Sequence, residues 1–201
     1  MTARSSVSTA QPSRRSILLG SVTGVLAWIA GYLVTYLVVA PDVSGSDLNR
    51  LIEVLDGEPA TAELVGWVFF NAHFVETVFE GLPVLGSRTA SYVGGEGGFS
   101  VLLYLVPVVT LSVTGLLLAR ADGATDVSSG ALSGLTALPG YALASAVAAV
   151  AIEVTAAGAS AGPDFLAALI LAGIAYPMVF SGLGGALAAV ANRLQRSPST
   201  V

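Results

Sequence analysis

One histidine and three glutamates are the residues whose types and spacing could do chemistry. His73, Glu76 and Glu80 follow a His-x-x-Glu-x-x-x-Glu spacing. On a helix, at about 100° per residue, this puts an imidazole and two carboxylates on one face, together with Thr77. Such a face can bind a divalent metal or relay protons, and ionisable groups enclosed by a membrane are functional by default. The same residues also read as the wet face of an interfacial helix, with Leu64, Val68, Ala72, Val75, Val78, Phe79 and Leu82 opposite. That second reading is preferred. His73 is the sole histidine, so a histidine-rich metal site is excluded and a His-Glu-x-x-His zinc motif is absent. Glu153 follows about 20 apolar residues and is expected at the headgroup level. Facing inward instead, it would form a proton or cation site with Glu76.

A second constellation concerns packing. Gly20, Gly24, Ala27 and Gly31 are spaced four, three and four, which places them on one narrow helical face. Small residues let helix backbones approach closely in lipid. A helix of the same chain is the expected partner, and a homo-oligomer or another membrane protein is the alternative. Gly185 and Ala189 repeat the pattern near the C-terminus. Pro139 and Pro177 each remove a backbone donor from an apolar run, so each predicts a kink.

Several chemistries are absent. The chain has no cysteine, hence no disulfide, thiolate metal site or cysteine nucleophile. It has no phosphate-binding loop or dinucleotide fingerprint. Its basic residues form no patch suited to nucleic acid. No cofactor or confident metal site is expected, and an enzymatic role is not favoured.

The elements that must carry these residues are membrane helices. Of the 201 residues, 54% are hydrophobic and 10% charged, whereas a soluble domain carries about 25% charged residues. A lipid-facing skin resolves that deficit. Apolar runs at 17–40, 101–119, 131–156 and 165–191 are each long enough to cross a core of about 30 Å. Together they predict an all-α, polytopic transmembrane bundle over 17–191, with lipid as its principal partner. A polar tail, 1–16, precedes the bundle and is expected to be disordered; a second tail, 192–201, follows it. Ser13-Arg14-Arg15-Ser16 resembles a twin-arginine export signal, but the long run after it and Pro41 at its end favour an uncleaved first span. Between 41 and 63 a short surface helix is expected, capped by Ser46 and stopped by Gly57. Asp164 is placed to cap the last helix.

Arginine position arbitrates the span count. If 64–82 crosses, four arginines fall on each side. If it does not, Arg4, Arg14, Arg15, Arg120, Arg193 and Arg196 lie inside and only Arg50 and Arg88 outside. The second arrangement obeys the positive-inside rule. The reading is therefore four spans with both termini cytoplasmic, an acidic outer region over 41–100, and 64–82 as an outer amphipathic or re-entrant helix. Five spans is the alternative. All eight basic residues are arginine and acids outnumber them, 13 to 8. That composition suits a haloarchaeal protein, whose carboxylates keep exposed surface hydrated in strong salt.

Gly31-Tyr32-Leu33-Val34-Thr35-Tyr36-Leu37, the stretch Gly66 to Val75, Ala175-Tyr176-Pro177 and the glycines Gly182, Gly184 and Gly185 together resemble an uncharacterised family of haloarchaeal multi-span membrane proteins, some loosely labelled transporters. The segment from Trp67 to His73 is the most specific part. The resemblance brings no functional residues with it. The expected role is a structural or accessory membrane component. A small oligomeric transporter or channel-like protein for a solute, ion or proton ranks second, and an intramembrane enzyme using His73 third.

Overall fold

The computed structural model describes residues 13–82, 86–95 and 98–196. The expectation of a disordered N-terminal tail falls largely on residues 1–12, and that of a C-terminal tail partly on 197–201; these residues, and Glu96, lie outside the described ones.

Helix α1 runs Arg14–Ser44, opened by Ser13, whose hydroxyl accepts from the Ser16 amide at 3.1 Å. It continues past the expected stop at Pro41, because a proline in the last turn disturbs only the helix end. Two residues later α2 spans Asp47–Asp56, between the Ser46 cap and Gly57, which adopts φ +88°. Helix α3 spans Thr61–Asn71. Strands β1, Thr77–Leu82, and β2, Gly86–Ala90, follow. Helix α4 covers Val101–Ala121 and α5 covers Val127–Ala151. Then come β3, Val154–Ala156, and β4, Ala159–Pro163. Helix α6 covers Phe165–Arg196 and is capped by the Asp164 carboxylate on the Ala167 amide at 2.7 Å.

Four of these helices, α1, α4, α5 and α6, are long and apolar enough to cross a membrane. The all-α expectation needs correction, because the fold also carries a four-stranded antiparallel sheet in the order β2-β1-β4-β3. Thr77 pairs with Pro163 and Glu80 with Ser160, while Phe79 pairs with Arg88 on the other side. The sheet lies where α1 ends and where α5 connects to α6, so the molecule has a sheet end and an opposite, loop end.

The expected helix over 64–82 is replaced by a helix, a turn and a strand. Every residue from Leu64 to His73 is buried. A helix apolar all round must be enclosed, and α3 is enclosed by the bundle. At its tip the chain reverses: Phe74 takes φ +60° and the Val75 amide donates to the Phe70 carbonyl at 3.1 Å. The Asn71 side-chain amide donates to the Val75 carbonyl at 2.6 Å, and its oxygen accepts from the Tyr92 amide at 2.7 Å. Residues 61–77 thus enter the bundle from the sheet end and return to it.

The helices meet along small residues. A side chain on Gly24 would strike the Ala137 carbonyl, and one on Gly134 the Ser181 carbonyl. Pro139 does not kink a continuous helix as expected. Helix α5 is interrupted at Thr136 and Ala137, and Pro139 occupies the first turn of the following segment, where no donor is needed. Around Pro177, α6 is π-helical over Ala168–Ala175 and Pro177–Ser181.

Candidate functional site

His73 stands at the tip of the re-entrant segment, fully buried. Its Nδ1 lies 2.8 Å from the Phe69 carbonyl. A carbonyl only accepts, so Nδ1 carries the proton. Nε2 lies 2.8 Å from the Tyr141 hydroxyl, which donates to it. Aromatic rings close the remaining space: Phe69 edge-on at 4.8 Å and Tyr176 at 4.8 Å, ring centre to ring centre. Both nitrogens of a neutral imidazole are therefore satisfied within the protein.

Local sequence explains this placement. Phe69 and His73 are one turn apart, so a ring nitrogen reaches back to the earlier carbonyl. Tyr141 is buried at the α1–α5 contact, where Gly24 lets the two backbones close up. Tyr176, between the two π-helical stretches, donates its hydroxyl to the Ala72 carbonyl at 3.2 Å. π-Helical turns shift the face a side chain occupies and recur at functional positions. Further out, the Trp67 indole donates to the Ile152 carbonyl at 2.9 Å and the Tyr32 hydroxyl to the Ala62 carbonyl at 3.1 Å. Bonds from α1, α5 and α6 thus fasten the segment along its length.

The carboxylates lie elsewhere. Glu76 and Glu80 are exposed, as is Glu153, which falls beyond the end of α5. The single helical face that would join His73 to Glu76 and Glu80 does not form, because the helix ends at Asn71. Glu76 contributes its backbone carbonyl to the Asp164 amide at 3.0 Å. Glu80 and Glu153 line one open cleft of about 460 Å³ at the sheet end, with Ser160 and Asp164. Gly162 lies beside Glu153 in this cleft. No group of three or more histidine, aspartate or glutamate side chains among the described residues is arranged to hold a metal. The cleft presents exposed negative charge to solvent, and the imidazole belongs to a separate, closed interior.

The small-residue stripe is used within the chain. Gly20 faces Thr136, Gly24 faces Ala137 and Tyr141, and Gly31 faces the Phe69 ring; Ala27 is buried beside them. Gly185 abuts Gly130, and Ala189 packs there too. Sequence reasoning missed Tyr141, Tyr176 and Asn71. A tyrosine or asparagine within an apolar run is a weak signal, but here each supplies a polar end that the re-entrant turn requires.

No curated protein and no solved structure matches the chain. A family model matches residues 1–192; its description is a family of unknown function, DUF7978.

Proposed function

Because the chain belongs to DUF7978, a family of unknown function, we propose its role from its own geometry: a four-span protein of the cell membrane, both termini cytoplasmic, acting as a structural or accessory component. The carrying observation is the apolar wall around the molecule. Leu18, Leu26, Leu37, Leu117, Val147, Leu166 and Leu187 are all exposed, spread over all four long helices. A water-facing surface does not sustain contiguous apolar area of this extent. Arg14, Arg15, Arg120, Arg193 and Arg196 lie at the loop end and only Arg50 and Arg88 at the sheet end, which by the positive-inside rule supports a cytoplasmic loop end and an outer sheet end. The lysine-free acidic composition supports a haloarchaeal, high-salt setting.

The structural role is supported by how the interior polar groups are spent. His73, Tyr141, Tyr176, Asn71 and Trp67 hold a plug in place and support the outer sheet above it. One observation favours the transporter reading instead: Glu80 and Glu153 share the cleft at the outer face.

Purified chain in sealed vesicles distinguishes the two. The structural role predicts vesicles no more permeable to protons, sodium or potassium than protein-free ones. A flux that depends on the chain and disappears in Glu153→Ala would overturn it in favour of transport. Extraction of the chain from membranes by alkaline carbonate would overturn the integral placement itself.

A further inference from the structure

Helix α2 begins two residues after α1 ends. By angle, at about 100° per residue, Leu51, Leu55, Leu48 and Ile52 form one apolar arc, and Asp56, Asn49, Glu53, Arg50 and Asp47 fill the rest together with the exposed Val54. Ile52 is buried against the fold, whereas Leu51 is 54% and Leu55 50% exposed. These two leucines also wall a groove of about 120 Å³ whose other lining includes Trp67, Phe79, Val154 and Ala156. Ile52 and half-buried Leu48 are thus packed on the fold, whereas Leu51 and Leu55 keep about half of their surface uncovered.

This uncovered area follows closely in the chain on a helix already assigned to lipid. Leu33, Leu37 and Val38 are exposed on α1, two to three turns before its end at Ser44. A helix starting there, with leucines on one arc and acids on the other, has the pattern of one lying in the plane of a membrane interface. We propose that α2 lies in the headgroup layer of the outer leaflet, with Leu51, Leu55 and the groove they wall filled by lipid acyl chains. The inference rests on the membrane reading above. It adds that the outer region grips the bilayer sideways, so the sheet is held at a fixed height and tilt over the bundle.

The chain has no cysteine, so single-cysteine reporters carry no background. A polarity-sensitive fluorophore is attached to Leu51→Cys, Leu55→Cys, Glu53→Cys and, as a membrane control, Leu26→Cys. Each protein is placed in vesicles containing lipid with a nitroxide near the headgroup or deep in the chain, or is exposed to iodide in the water. Expected is a loss of most emission at 51 and 55 with the shallow lipid quencher, at 26 with the deep one, and at 53 with iodide. Iodide quenching at 51 and 55, with 26 still quenched by lipid, overturns this inference and leaves the membrane reading standing. Protection of 51 and 55 from both quenchers also overturns it, because protein rather than lipid then covers the helix. Iodide quenching at 26 overturns the membrane reading itself.

Discussion

Replacing Tyr141 by phenylalanine tests whether the re-entrant segment is fastened by its tip. The substitution removes one oxygen and keeps the ring, so no cavity forms. His73 Nε2, 2.8 Å from that hydroxyl and fully enclosed, loses its partner. A buried acceptor left unpaired costs about 1–3 kcal/mol in soluble proteins. Hydrogen bonds between membrane helices average only about 0.6 kcal/mol, because the dissociated helices find other partners within the lipid. The upper range applies here. Residues 61–77 are too short and too polar at Asn71 and His73 to stay in lipid alone, so the released imidazole is hydrated and the full desolvation cost is felt on refolding. A loss of about 2 kcal/mol, or roughly thirtyfold in the folding equilibrium, is expected. Titration from a mild detergent into a denaturing one, followed by tryptophan fluorescence, reports on it directly: Trp67 lies on the segment and the Trp28 ring packs edge-on against Phe69 at 5.2 Å. The double variant with His73→Leu should lose less than the sum of the two singles, since each single strands the other's polar atom. A Tyr141→Phe protein within a few tenths of a kcal/mol of the parent would refute the fastening.

Three further outcomes follow from the packing and the caps. Gly134→Ala gains about 1 kcal/mol in helix propensity but sets a Cβ 2.9 Å from the Ser181 carbonyl carbon, an overpacking that costs about 1–3 kcal/mol, so a net loss is expected in the same detergent titration. Gly182→Ala is the control: its nearest neighbour is the Leu135 side chain at 3.6 Å, and it should be neutral or stabilising. Asn71→Ala strands the Val75 carbonyl and the Tyr92 amide and should cost about 2 kcal/mol, with faster hydrogen exchange at Tyr92. Asp126 caps α5, and its hydrogen bonds from the Ser129 hydroxyl and amide hold its pKa below the ordinary carboxylate value. A depressed pKa contributes stability above the unfolded value and loses it as pH falls through the folded one. Asp126→Asn should therefore lower the thermal midpoint slightly at neutral pH and flatten its fall on the acid side.

The four long helices were legible because hydropathy over about 20 residues needs no knowledge of tertiary contacts. The caps at Ser46, Gly57 and Asp164 were legible for a similar reason, since each acts on its own neighbours. The stripe of Gly20, Gly24, Ala27 and Gly31 announced a close contact but not that α5 and Phe69 would fill it. The segment 64–82 misled because its helical period runs on into residues that favour a strand. His73, Glu76 and Glu80 share a helical face, yet Thr77-Val78-Phe79 are β-branched and aromatic residues of the kind strands favour, and no glycine or proline marks the reversal at Phe74. Tertiary contact decided between them: the aromatic residues up to Phe70 were drawn into the bundle, and the acids beyond were left outside to pair as a sheet. That choice moved His73 from an expected wet face to a closed one, and left Glu80 with Glu153 instead of with the imidazole.

The central claim is that residues 61–77 enter and leave by the same face. Single cysteines at Glu58 and Arg88 flank this segment, and both parent residues are exposed. A membrane-impermeant maleimide applied to intact cells should label both positions, and a cysteine at exposed Asp122 only after permeabilisation. Labelling of only one of the two flanking positions would mean that the segment crosses the bilayer, contradicting the account.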